Sequence, residues 1–220
     1  DSTNTKHFED AIAFVRHIGK LPLPCRSIPG FVVNRVLAPY MLEALYAYQE
    51  GYQLETIDEA AIQFGMPTGP IELADRVGLD IALNVTQILS EKLPNSNLDL
   101  LLDKVKTGDL GSKTGKGFYT FVRGRPKKKK QYAKPGIELQ DRLVLALVNE
   151  AMACFEDGVV EDLDLIDAGI VFGAGFAPFR GGPIQYARER GIKSVIDHLK
   201  LFEEKLGIRF KPNEGWQKLL

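Results

Sequence analysis

The chain has 220 residues, 45% of them hydrophobic and 26% charged, with 28 Lys+Arg against 29 Asp+Glu and a formal net charge of −1. This is an ordinary globular composition, long enough for one large domain or two small ones, and its charge balance gives no global attraction to nucleic acid or an anionic membrane. The longest apolar run, Leu143 to Val148, falls far short of the about 20 residues that span a bilayer, and the polar start at Asp1 offers no signal-peptide core.

Phe8, Ala11, Ile12, Val15 and Ile18 recur at helical spacing, which predicts a first helix over Phe8–Ile18 closed by Gly19. Pro22 and Pro24 then force an extended piece over Leu21–Arg26. Together they read as half of an α/β unit. From Pro29 the pattern changes. Val33, Val36, Leu37, Tyr40, Met41, Ala44, Leu45 and Tyr48 form a broad apolar stripe that predicts a helix over Val32–Glu50, kinked at Pro39. Thr56 and Glu59 read as a capping box opening a helix that ends at Phe64. Further helices are expected over Ile71–Val77, Leu79–Leu93 and Leu98–Lys106, with Gly111–Phe121 extended.

Six of the eight residues from Arg123 to Lys130 are basic. The stretch to Gly136 has no apolar periodicity and reads as a solvated linker. A nuclear-localisation or nucleic-acid reading is weaker, because aromatics do not interleave with the charge. Beyond it the second segment repeats: Arg35, Glu43 and Gly51 match Arg142, Glu150 and Gly158 at one constant spacing. With small indels, Ile57-Asp58 matches Ile166-Asp167, Gly69-Pro70-Ile71 matches Gly182-Pro183-Ile184, and Gly78 matches Gly191. One helical unit is present twice, and its two apolar stripes are expected to pack face to face in approximate two-fold symmetry.

Little in the chain carries catalytic chemistry. Cys25 and Cys154 lie apart among apolar neighbours, which predicts buried thiols in a reducing, intracellular setting and no thiolate metal site. His7, His17 and His198 have no metal-ligand spacing and read as surface or edge residues. Gly111–Gly117 is rich in Gly and Lys but fails the phosphate-loop spacing, and Gly173–Pro178 starts like a dinucleotide loop but ends in proline with no strand before it. Lys113 and Lys116 remain candidate anion contacts. Asp157, Glu161, Asp162, Asp164 and Asp167 read mostly as helix-start carboxylates. Asn34, near the start of the long helix, has an amide that can donate to a carbonyl and accept from a hydroxyl. It suits a substrate passing between those states, with a capping or surface Asn as the plain alternative.

Ser27–Gly51 (SIPGFVVNRVLAPYMLEALYAYQEG), Ile57–Asp80 and Gly111–Tyr119 (GSKTGKGFY) resemble the C-terminal domain of the 3-hydroxyacyl-CoA dehydrogenase family, and Phe172–Pro183 (FGAGFAPFRGGP) resembles the second copy found in multifunctional β-oxidation members. The resemblance implies a mainly α fold, two tandem helical-bundle repeats of the 6-phosphogluconate-dehydrogenase C-terminal type behind a short α/β remnant. It divides the chain into 1–28 (tail of an NAD-binding Rossmann domain), 29–122 (first copy), 123–138 (basic linker) and 139–220 (diverged second copy). It implies oxidation of (3S)-3-hydroxyacyl-CoA with NAD. The NAD loop and the catalytic His–Glu pair would lie in the family's preceding domain, so no catalytic, NAD-binding or metal residue is expected in this fragment. Asn34 falls on the family's substrate-contacting Asn, and Asp141 stands at its place in the second copy. Acyl-CoA, the chain's own Rossmann domain and a thiolase β subunit are the implied partners, in a bacterial cytoplasm or a mitochondrial or peroxisomal interior. Two other readings are a non-catalytic module docking a thiolase and part of a short-chain 3-hydroxybutyryl-CoA dehydrogenase, the latter disfavoured by the second copy.

Overall fold

The computed structural model describes residues 3–89 and 98–220. It is built from helices α1 (Thr5–His17), α2 (Val33–Gln49), α3 (Leu54–Phe64), α4 (Pro70–Val77), α5 (Leu79–Ile88) and α6 (Asp99–Lys106), then α7 (Ile137–Glu156), α8 (Leu163–Ala174), α9 (Pro183–Arg190) and α10 (Ile192–Leu206). The only sheet among the described residues is the two-residue hairpin β1 (Phe121–Val122) and β2 (Arg125–Pro126). The mainly α expectation holds. The part of the expected Leu79–Leu93 helix beyond Leu89 lies outside the described residues. No described helix is long and apolar enough to cross a membrane.

The apolar stripes of α2 and α7 pack on each other, burying Val36, Tyr40, Ala44 and Ala47 of one and Leu143, Leu147, Val148 and Ala151 of the other. Burial of this kind is the main driving term in the fold. The charged residues between the stripes pair reciprocally. Arg35 Nε donates to Glu150 at 2.6 Å and Arg142 Nε donates to Glu43. The outer ends repeat the exchange, with Arg35 on Asp157 at 2.8 Å and Arg142 on Glu50 at 2.5 and 2.8 Å. Residue for residue this is the self-complementary pattern of a two-fold interface, made here by two copies in one chain. The symmetry is imperfect at the outer pair, where Asp157 is a methylene shorter than Glu50 and Arg35 Nη1 is buried without a hydrogen-bond partner, and at Glu43, which also accepts from Arg209.

The repeat also explains two glycines. Asp58 of α3 caps α4, accepting from the N–H of Ile71 at 2.9 Å, and Asp167 of α8 caps α9, accepting from Ile184 and Gln185 at 2.7 and 3.0 Å. A Cβ on Gly69 or Gly182 would lie 2.3 or 2.4 Å from those carboxylate side chains. Only glycine leaves room for the cap.

Three expectations change. The helix expected from the Thr56–Glu59 capping box begins earlier, at Leu54, with Gln53 as its N-cap. Thr56 lies inside it and its hydroxyl donates to Ala133 O at 2.6 Å. The basic linker is not simply solvated: Lys129 N donates to Glu55, Ala133 N to Gln53, and Lys128 Nζ reaches Asp58 at 2.9 Å and Glu72 at 2.8 Å. Periodicity cannot reveal a segment held by backbone and single-residue contacts. Helix α1 forms, but it buries none of its residues and leaves Phe8, Phe14 and Ile18 exposed. α2 continues through Pro39 as one helix.

Two stability predictions follow from this framework. Glu43 is 2% exposed between Arg142 and Arg209. Glu43→Leu strands buried guanidinium charge and is expected to cost about 3–5 kcal/mol in urea unfolding, of which Arg142→Met in the same chain restores a measurable part; a single variant as stable as the parent would contradict the pairing. Burial pushes the Asp167 carboxyl up to about 6, against the pull of the Ile184 and Gln185 N–H groups. The folded chain therefore holds this proton more tightly than the unfolded one, so the group's stabilising contribution is complete below about pH 4 and is lost as pH rises through about 6. Relative to Asp167→Asn, whose cap defect does not vary with pH, the parent chain is expected to lose stability between pH 4 and 7. Parallel stability curves would refute the shift.

Candidate functional site

An apolar groove opens on the first repeat between α2, α4 and α5, with Leu101 of α6 at its base. Leu37, Ala38, Met41 and Leu45 come from α2, Ala74 and Val77 from α4, and Ile81, Ala82 and Val85 from α5. Its two polar lining residues are Asn34 and Thr86. The Thr86 hydroxyl is spent on Ala82 O at 2.8 Å within its own helix. Asn34 is exposed, in the first turn of α2, and its amide makes no hydrogen bond to a described residue. It is thus the one lining side chain with open donor and acceptor capacity.

The local backbone adds to this polarity. Gly30 and Phe31 both take positive φ, at 77° and 47°. For glycine that is free; for phenylalanine it is a strained conformation of the kind found at functional sites. The turn delivers the chain into α2, whose N-cap, Val32, has no side chain to cap the first-turn N–H groups. The positive end of a 17-residue helix therefore lies beside the Asn34 amide. A substrate oxygen at the groove mouth would find in the Asn34 amide both a donor and an acceptor.

At the matching place in the second repeat the polar position is held in an ion pair. Asp141 stands where Asn34 does in the first copy, and it is held by both terminal nitrogens of Arg190 at 2.6 and 2.7 Å. Arg190 also donates to the Tyr186 hydroxyl at 2.8 Å. Arg190 occupies the position of Val77, just before the matched glycines Gly78 and Gly191. One copy lines the space with a valine; the other fills it with a guanidinium and its counter-ion. The sequence signal was there, an Arg–Asp pair replacing Val–Asn, but only the fold brings the two positions together.

The other sequence candidates do not line the groove. Lys113 pairs with Asp80 at 2.5 and 2.7 Å, beside Gly78 where α4 meets α5, and Lys116 pairs with Asp109 at 2.9 Å. The Gly/Lys loop itself wraps a carboxylate of the chain: Asp75, fully buried, accepts from the N–H of Phe118 and Tyr119, both at 2.8 Å. A Cβ on Gly117 would sit 2.0 Å from Asp75 Oδ1. The backbone donors that a phosphate would need are taken by an internal anion. His7 and His17 lie exposed on α1, and His198 Nδ1 faces Ser194 O at 2.8 Å. Asp162 caps α8, whereas Asp157 follows the C-terminal end of α7 and serves Arg35. Gly173 lies inside α8 and Gly175 closes that helix, so these glycines form no strand-to-helix cradle for a dinucleotide.

Residues 30–121 match the sequence profile of the 3-hydroxyacyl-CoA dehydrogenase C-terminal domain. The fatty acid oxidation complex subunit alpha of Vibrio vulnificus is 36% identical over 231 residues, covering 98% of this chain and 32% of that protein. The protein of the same name from Shewanella loihica is 36% identical over 228 residues, covering 96% and 32%. The chain thus spans about a third of the length of these relatives. Among solved structures, a 3-hydroxybutyryl-CoA dehydrogenase from Escherichia coli superposes with a TM-score of 0.77 over 99% of this chain and 65% of that one, at 21% identity, which is a likeness of fold. An (S)-3-hydroxybutyryl-CoA dehydrogenase from Ralstonia eutropha is 36% identical over 55% of this chain and 44% of that one, with a TM-score of 0.51. Residues 30–121 are thus similar to a 3-hydroxyacyl-CoA dehydrogenase C-terminal domain, and the chain as a whole is similar to the last third or so of these fatty acid oxidation complex subunits alpha.

Proposed function

We propose that this chain is the substrate-groove and assembly part of an NAD-dependent (3S)-3-hydroxyacyl-CoA dehydrogenase of fatty acid β-oxidation, working in a reducing intracellular compartment. The observation that carries the reading is the apolar groove with one unengaged amide, Asn34, at an uncapped helix N-terminus. An acyl chain would leave water along Leu37, Met41, Val77 and Ile81. Asn34 and the first turn of α2 would then hold the oxygen at C3, the amide accepting from the hydroxyl before reaction and donating to the ketone after it. Hydride acceptance belongs to NAD, and the proton-abstracting group, like the NAD site, is supplied from outside these 220 residues in this proposal. Residues 1–28 are read as the tail of that NAD-binding domain, 29–122 as the catalytically relevant copy, 123–138 as the linker and 139–220 as a copy kept for packing. Lys113 and Lys116 already hold aspartates and are not used.

The duplication does not separate long-chain from short-chain substrates, because a protein titled 3-hydroxybutyryl-CoA dehydrogenase has this fold over nearly the whole chain. No surface feature of the described residues favours a thiolase β subunit over another partner, so the module-only reading has no observation of its own.

The first expectation is that the purified chain reduces no NAD with 3-hydroxyacyl-CoA; turnover above a buffer control would sink the division of labour. The second concerns binding. In calorimetric titration with 3-ketoacyl-CoA thioesters, Asn34→Ala should weaken affinity by the worth of one hydrogen bond in a water-poor site, about 1–3 kcal/mol, or roughly 5- to 150-fold, with an unchanged melting temperature. Asp141→Ala should do the reverse, leaving Arg190 without its counter-ion and lowering the melting temperature while affinity holds. An Asn34→Ala chain that binds normally but melts several degrees lower would make Asn34 a helix-start residue and the groove assignment wrong.

A further inference from the structure

The segment taken from sequence as a solvated linker is pinned so that its charge is sorted by face. Lys127 N donates to Thr120 O at 2.7 Å, Lys129 N to Glu55 at 2.8 Å and Ala133 N to Gln53 at 2.8 Å. The Tyr132 hydroxyl reaches Glu59. Lys128 turns inward, its ammonium shared between Asp58 and Glu72. The carboxylates of the underlying helix, Glu55, Asp58 and Glu59, are thereby consumed on the inner side. Arg123, Arg125, Lys127, Lys129, Lys130 and Lys134 are all exposed, and none makes an ion pair with a described residue. Six cations thus stand outward on an ordered backbone in a chain whose net charge is −1.

The hairpin tip departs from its easiest sequence. Val122 pairs with Arg125 across a two-residue turn, Arg123-Gly124, with φ of 51° and 74°. Such a turn is met without strain by Asn-Gly or Gly-Gly. Here its first position holds an arginine in the left-handed region, a backbone strain of the kind that points to a use outside the fold. Beside it Val122 is 57% exposed. The tip therefore exposes one apolar side chain, next in sequence to Arg123 and paired across the hairpin with Arg125, with four exposed lysines following in the strap.

We propose that this hairpin and strap form a docking surface for an anionic lipid bilayer, which the chain would touch peripherally and reversibly. Outward cations near such a surface gain about fivefold in binding each, and an apolar tip enters the headgroup layer while its flanking arginines stay with the phosphates. A nucleic-acid strand fits less well. It asks for aromatic platforms on which bases stack, and Tyr132, the one aromatic in residues 123–136, is engaged by Glu59 and lies under Lys134. The proposal is independent of the groove and of the reaction assigned to it.

The test is flotation of the full chain with vesicles of phosphatidylcholine, with and without one third phosphatidylglycerol, from 20 mM to 500 mM salt. The expected result is binding to the phosphatidylglycerol vesicles alone, falling steeply with salt. The variant Lys127→Gln/Lys129→Gln/Lys130→Gln should bind on the order of a hundredfold less with an unchanged melting temperature. Lys193→Gln/Lys200→Gln, on exposed α10 positions, should bind as the parent does. Arg123→Gly relieves the turn, so it should melt no lower while binding more weakly. Equal partition onto both lipid mixtures, or a triple variant that binds like the parent, would overturn the proposal. So would capture by a 20-nucleotide oligothymidine with no vesicle binding, which would hand the surface to nucleic acid.

Discussion

Everything else in this chain hangs on the reciprocal seam between α2 and α7. Apolar stripes supply the attraction, but stripes alone would tolerate sliding by a helical turn. The charged residues do not. Arg35 must meet Glu150 and Arg142 must meet Glu43, and a shift by one turn would leave two buried guanidinium groups facing apolar side chains, each at a cost of several kcal/mol. The pairs therefore act as a register lock on a hydrophobic interface. Arg209, from the C-terminal segment, adds its guanidinium to Glu43 at 2.7 Å and lies over the Tyr46 ring, tying the end of the chain to the same seam.

With that seam fixed, the two copies are free to diverge where they face away from each other. Both retain the buried carboxylate that caps the next helix, because removing it would orphan N–H groups in the core. They differ at the outer groove. The first copy leaves Val77 and Asn34 lining an open slot; the second closes it with Arg190, Asp141 and Tyr186. The closed copy gains a bidentate pair in place of the slot. The first copy also carries the Gly/Lys loop around Asp75. Arg188 stands at the matching place in the second copy, where no such carboxylate needs covering.

The linker shows the limit of periodicity as a guide. Its contacts are a lysine, a tyrosine and a few backbone N–H groups reaching carboxylates and an amide on α3. None of these repeats at 2 or 3.6 residues, so the stretch reads as a solvated linker although these groups find partners on the bundle. The same contacts displaced the expected helix start. Thr56 has the right residue type for an N-cap, but Ala133 O takes its hydroxyl, and the helix opens at Leu54 without a side-chain cap. Local signals of this sort are outbid when a distant segment offers a better partner.

The sequence by itself determined the helical class, the duplication and the matched landmarks, because each rests on spacing along the chain or on residue type; Asn34 stood out through the family resemblance, beside a plain capping or surface reading. The helix from Val33 to Gln49 was legible from its stripe and its closing glycine, since burial of one face imposes a period. Three-dimensional packing decided the rest. It placed Asn34 over an apolar slot and left its amide unengaged, joined Asp141 to Arg190, committed Lys113 and Lys116 to aspartates, and turned Lys128 inward while its neighbours stayed out. The physical reason is common to all four. Whether a polar side chain is free or paired depends on which charges arrive from elsewhere in the chain, and those partners lie between 7 and 70 residues away, beyond the reach of any local pattern.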